Sequence, residues 1–179
     1  MSASAISRGA ASGAIGAAVW AATQPLDKLL LGSRYDDVEL LGRALSADED
    51  KYVPLGLIAH LLNGAAFGAG YAQLAPGLPG PAWLKGPAVS LAENTLLWPL
   101  GFIVDRFHPR RDKLPFRLAG NRRAFYQATW RHLLFGAVLG ELERRLNPPL
   151  APSDAVISTV YSTNGHGNVD HVAAQTPDS

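Results

Sequence analysis

Charge is missing from four long stretches of this chain, and that pattern limits what it can fold into more than any motif does. Residues 9–24 and 53–74 hold no Asp, Glu, Lys or Arg, residues 86–104 hold only Glu93, and residues 124–140 hold only Arg131. At about 1.5 Å per residue each stretch forms a helix of roughly 25–33 Å, close to the hydrocarbon thickness of a bilayer. A soluble four-helix bundle instead needs a charged face recurring about every 3.6 residues. The stretch VPLGLIAHLLNGAAFGAGYAQL offers no such face, since its polar members are His60, Asn63 and Gln73. The expectation is an all-α, integral membrane four-helix bundle with helices over residues 9–31, 53–74, 86–104 and 124–145, the first kinked at Pro25. Arg8 before an Ala/Gly-rich core resembles a signal peptide, but the glycine spacing favours a retained, packed helix.

The connections set the expected orientation. Eleven Lys and Arg fall in residues 25–52 and 105–123, against four on the opposite side at Arg8, Lys85, Arg144 and Arg145. The excess of positive charge places those two connections in the cytoplasm and both termini outside, in a bacterial inner membrane. Trp20, Trp98 and Trp130 lie toward the same face, as an interfacial belt requires. Within the first connection, Ser33 followed by Asp36 suggests a helix start, with Val38, Leu41 and Leu45 on one face of a short amphipathic helix, and a solvated loop is the alternative. Residues 147–179 are polar and without a period, so they read as a disordered tail, in which His166 and His171 lack a third metal ligand.

Composition excludes several chemistries. With no cysteine there is no disulfide, thiolate nucleophile or Cys-ligated metal. A net charge of +1 gives no global basic field for nucleic acid, and the arginine-rich connection has no aromatic platform beside it. HExxH, P-loop and GxSxG sequences do not occur. An enzyme is therefore not the favoured reading.

An internal repeat adds a symmetry. HLLNGAAFG at 60–68 and HLLFGAVLG at 132–140 agree at six of nine positions, 72 residues apart. Pro25-Leu26 and Pro99-Leu100 echo each other at an offset of 74. Two helical hairpins inserted alike would be related by a pseudo-two-fold axis along the membrane normal, with His60 and His132 facing each other at similar depth. Gly9 and Gly13, Gly64 and Gly68, and Gly136 and Gly140 are each four apart, the spacing that lets helix backbones approach closely in lipid.

Polar residues gather in one slab. Counted from the cytoplasmic ends at about 1.5 Å per residue, His60, Asn63, Glu93, Asn94, Arg131 and His132 all lie roughly 10–16 Å deep. A charge there costs about 2.5–3.5 kcal/mol on insertion scales, so Glu93 needs a partner, and Arg131 is the expected one. A structural clasp that fixes helix register is the leading reading. A transporter or proton-conducting subunit using Glu93 with His60 and His132 is the alternative. Haem b held by His60 and His132 is a third, and no other cofactor or metal is expected. Besides the bilayer, the partners foreseen are a second copy of the chain or a larger membrane complex.

The run H-L-L-F-G-A-V-L-G in the last helix, followed by a charged end, resembles several families of small bacterial four-span inner-membrane proteins. The similarity covers residues 59–71 and 132–145. It implies the four-helix membrane architecture and carries no chemistry with it.

Overall fold

The structure, a computed structural model, describes residues 3–148. The expected disordered tail at 147–179, with His166 and His171, lies almost wholly outside the described residues. Within them every regular element is a helix. The elements are α1 (Ala3–Leu31), α2 (Asp37–Leu45), α3 (Tyr52–Leu74), α4 (Ala82–Leu97), α5 (Gly101–Phe107) and α6 (Arg122–Leu146).

Local chemistry explains where these elements start and stop. The cap of α2 is Asp36 rather than Ser33: its carboxylate accepts from the Glu39 N–H at 2.9 Å, satisfying one orphan donor of the first turn. The third charge-poor stretch, expected to be one helix over 86–104, is broken. A 3-10 turn at Trp98–Leu100 separates α4 from α5. Pro99 sits in it, with no N–H to continue the ladder and a ring that crowds the preceding turn. Pro25, by contrast, is accommodated within a continuous α1.

Helix pairing follows the glycines. The packed pairs are α1 with α3, α4 with α6, α1 with α6, and α2 with α3. A Cβ on Gly13 would stand 2.0 Å from the Gly64 carbonyl oxygen and 2.9 Å from the Gly68 Cα. A Cβ on Gly86 would stand 2.1 Å from the Gly136 carbonyl oxygen and 2.9 Å from the Gly140 Cα. The two antiparallel hairpins are therefore closed by the same backbone contacts, 73 residues apart on their first helices and 72 on their second. This is the repeat in three dimensions, and it adds Gly86 to the packing glycines read from sequence. Gly9 belongs to the same seam, its would-be Cβ 2.5 Å from that of Ala72.

The symmetry is incomplete. A strict two-fold would match the α1–α6 seam with an α3–α4 seam. These two helices are tied at one end, where Lys85 Nζ donates to the Ala75 carbonyl at 2.9 Å, but they form no seam of comparable extent. The helix α2 fills part of the space beside them. It lies against the start of α3 through facing glycines, with a Cβ on Gly56 falling 2.0 Å from the Val38 carbonyl oxygen. Leu45, expected on its buried face, is exposed, while Asp37 and Gly42 are buried.

By length and composition one helix, running on as Tyr52–Gly77, is apolar enough to cross a membrane, and only 22% of its most apolar window is buried in the protein. The other three long helices do not meet that standard. The α1 core is Ala and Gly rather than Leu, α4 stops at 16 residues, and α6 carries arginines at both ends and glutamates at its C-terminal end.

The glycine contacts predict a graded mutational response. Gly13→Ala and Gly86→Ala force backbones apart and should each cost about 1–3 kcal/mol. A Cβ on Gly70 meets nothing within 4 Å, so Gly70→Ala should be neutral or gain up to about 1 kcal/mol of helix propensity. Thermal unfolding of the three variants in one detergent checks the order.

Candidate functional site

The polar residues separate into a sealed network and a half-open pair. The sealed network centres on Arg131, which is fully buried in α6. Its Nε donates to Asp27 Oδ2 at 2.5 Å, Nη2 to Asp27 Oδ1 at 2.7 Å, and Nη1 to Asp37 Oδ2 at 2.8 Å. One guanidinium thus grips α1 bidentately and α2 with its remaining arm, the fork geometry that lysine lacks. Gln127, one turn earlier on α6, donates to Asp27 Oδ1 at 2.6 Å. Trp20 Nε1 donates to Asp37 Oδ2 at 2.9 Å, and the Tyr35 hydroxyl donates to Asp37 Oδ1. Burial, with the Asp37 carboxylate alongside, pushes the Tyr35 phenol well above its ordinary range, so it remains a donor. Every oxygen of the two aspartates is engaged, which is the condition for keeping such charges out of water.

The cap over this end is held by further bonds. Lys28 pairs with Asp36, and Arg43 pairs with Glu39 at 2.8 Å while lying 4.0 Å from the centre of the Tyr52 ring. The Asp105 carboxylate accepts from the Leu118 and Ala119 N–H groups, which folds the arginine-rich connection back on itself.

Glu93 does not pair with Arg131, contrary to the sequence expectation. Its partner is His132 on α6, with Oε2 to Nε2 at 2.9 Å. Arg131 has nearer acids on two other elements, and adjacent positions on a helix point about 100° apart, so Arg131 and His132 serve different sites. The His132 Nδ1 stands 2.7 Å from the Ala128 carbonyl oxygen. A carbonyl only accepts, so that nitrogen carries hydrogen. The Glu93–His132 contact then needs one further proton, held as an imidazolium facing a carboxylate or as a carboxyl group facing a neutral imidazole.

The remaining sequence-predicted residues divide between these sites and packing. His60 is buried, with Nε2 donating to the Ala17 carbonyl at 3.2 Å. Asn94 donates to Thr129 Oγ1 at 3.1 Å across the α4–α6 seam, where Ser90 also donates to the His132 carbonyl at 2.7 Å. Asn63 is exposed on α3. His60 and His132 both pack edge-on against the Trp20 indole, with ring centroids at 5.4 and 4.6 Å, and both His132 nitrogens are engaged within the protein. Among the described residues no group of three or more His, Asp or Glu could hold a metal ion.

Asp27, Asp37, Tyr35, Gln127 and Trp20 were not identified as site residues from sequence. The first three lie at or beyond the end of the charge-poor stretch, where charge reads as solvated loop. Trp20 faces inward at 6% exposure rather than joining a belt, whereas Trp130 is half-exposed. Gln127 and Arg131, one turn apart, were the available signal of a polar stripe seeking partners.

Between α3 and α4 lies a cavity of about 210 Å³. Trp20, Phe67 and Phe135 supply its aromatic walls, and Glu93, His132 and Asn63 bring polar groups to it. No protein-family description, curated protein or solved structure matches this chain.

Loss of Arg131 should be the most damaging single change in the molecule. Arg131→Met strands two buried carboxylates and should cost about 3–5 kcal/mol, while Arg131→Lys, which cannot reach both aspartates in the same geometry, should fall between it and the parent. Chemical denaturation monitored by tryptophan fluorescence ranks the three.

Proposed function

We propose that this chain is a small integral membrane protein whose four long helices cross the bilayer, serving as a structural or accessory component locked by the Arg131 clasp. One observation carries the reading: the buried residues are as often polar as apolar, while many large apolar side chains face outward. Of the five largest fully buried side chains, four are polar or charged (Arg131, Gln127, Ser12 and Ser90) and only Leu139 is apolar. Large apolar side chains point outward instead, among them Leu29 at 80%, Leu96 at 75%, Phe107 at 70% and Leu62 at 64% exposure. In water that surface would drive aggregation. In lipid it is solvated, and buried hydrogen bonds with glycine-close backbones supply the association energy. Helices too polar or too short by composition can still span within such an assembly, because their polar groups face neighbouring helices.

Orientation follows the positive charge, with residues 25–52 and 105–123 cytoplasmic and both ends of the chain outside. A second reading, a proton- or ion-conducting subunit, is favoured by the Glu93–His132 pair. Its carboxylate side chain is 33% exposed beside the cavity rather than sealed like the clasp.

The absence of cysteine makes topology directly measurable. Single substitutions Gly77→Cys and Asp112→Cys, probed with a membrane-impermeant maleimide, should label from outside intact cells at 77 and only after lysis at 112. The protein should stay with the membrane through alkaline carbonate washing. Release by that wash, or labelling of both positions from one side, contradicts the proposal.

A further inference from the structure

We propose that the cavity between α3 and α4 binds a small primary ammonium ion in exchange for the proton shared by Glu93 and His132. This rests on the second reading above, that the pair is a proton-holding site open to a cavity.

The argument starts from unmet hydrogen-bonding capacity. Because His132 Nδ1 donates to the Ala128 carbonyl, removal of the shared proton leaves the Nε2 lone pair 2.9 Å from a carboxylate oxygen. Two acceptors cannot remain in that contact without a donor between them. Glu93 Oε1 and the Asn63 side-chain amide have no protein partner among the described residues, and both residues line the same cavity. The site therefore offers three acceptors once deprotonated: the Glu93 carboxylate, the His132 Nε2 and the Asn63 Oδ1. A primary ammonium carries three N–H donors and one positive charge, so it replaces the lost proton in charge and in number of bonds.

The walls suit a cation with a short apolar tail. Phe67 and Phe135 stack edge to face at 5.4 Å, with Trp20 beside Phe135 at 6.2 Å, and aromatic faces attract cations in desolvated surroundings. Leu40 and Leu41 of α2 line the opposite part of the cavity. The other ionisable groups around the pair leave it as the one exchangeable site. Asp37 on α2, Tyr35 before it and Arg131 on α6 are saturated by one another, and His60 on α3 donates to the Ala17 carbonyl.

The repeat explains why the site exists in one hairpin pair only. At the offsets set by the glycine contacts, Glu93 occupies the position of Trp20 and Asn63 that of Phe135. In the α1–α6 seam the aromatic pair packs and closes it. In the α3–α4 seam the corresponding residues are a carboxylate and an amide, and the seam stays open.

The exchange balances simply. The protonated pair and R–NH3+ give the deprotonated pair with R–NH3+ bound, plus one H+ released to solvent. Affinity should therefore rise about tenfold per pH unit where the free pair is protonated and level off above that range.

The test is calorimetric titration of n-butylammonium chloride into the full-length protein in detergent, run in two buffers of different ionisation enthalpy. About one proton should be released per ammonium bound. Tetramethylammonium, which has the charge but no N–H, and n-butanol, which lacks the charge, should bind at least about tenfold more weakly. E93Q retains a donor to His132 Nε2 and should stay folded, yet lose both binding and proton release. Asn63→Leu should weaken binding about tenfold while the proton count persists. Binding without proton release, equal binding of tetramethylammonium, or the same proton release by sodium chloride overturns the proposal. Infrared spectroscopy separates its failure from that of the underlying reading. A carboxyl or imidazole-ring band that titrates in the parent and is altered in E93Q, with no ammonium binding, leaves the proton-holding site standing and removes only the ligand. Titration of neither band removes both.

Discussion

A guanidinium with no exposure to solvent is the constraint on which the rest of this structure depends. Arg131 can be buried only if carboxylates arrive from other elements, and the two that do come from the end of α1 and the start of α2. That requirement fixes α1 against α6 and brings α2 back over the bundle rather than out into the surroundings. It also positions Trp20 and Tyr35, which donate to the same Asp37. Without α2 in place the cavity beside Trp20 would have no wall on that side. The clasp and the cavity are thus parts of one arrangement, although Arg131 and Glu93 never meet.

Glycine sets the second constraint. Gly13 with Gly64 and Gly86 with Gly136 bring helix backbones to the same separations in both hairpins, so two copies of one simple unit account for most of the scaffold. The two hairpins differ in length, α1 having 29 residues and α4 16, and in the side chains at their seams. An indole and a phenyl ring pack one inter-hairpin seam, and a carboxylate and an amide at the matching positions leave the other unpacked. Similar backbone contacts combined with different seam residues give a packed face on one side and an open, polar-lined space on the other.

The extents of the long helices were legible in the sequence because charge-free runs and glycine pairs at a spacing of four are local signals. The repeat was legible for the same reason, and the structure extends it to Gly86. The break at Pro99 was missed because charge absence alone cannot distinguish one helix from two. A clasp that included Arg131 was read from the sequence, but its acidic partners were missed because they depend on long-range pairing: Asp27 and Asp37 lie 104 and 94 positions from Arg131. Nothing local marks an acid near a loop as the partner of a distant arginine. Glu93 was singled out as a charge needing a partner, and its partner is His132 rather than Arg131.

The central claim is that the Arg131 network holds α2 to the bundle independently of the glycine-packed hairpins. Hydrogen exchange in Asp37→Asn tests it most directly, since that change removes the acid on α2 and leaves Asp27 and the glycine contacts of the α1–α3 and α4–α6 seams in place. The account predicts that amides of residues 37–45 lose protection while those of the α1–α3 and α4–α6 seams keep theirs. Unchanged protection across α2, or equal loss across all helices, would contradict it.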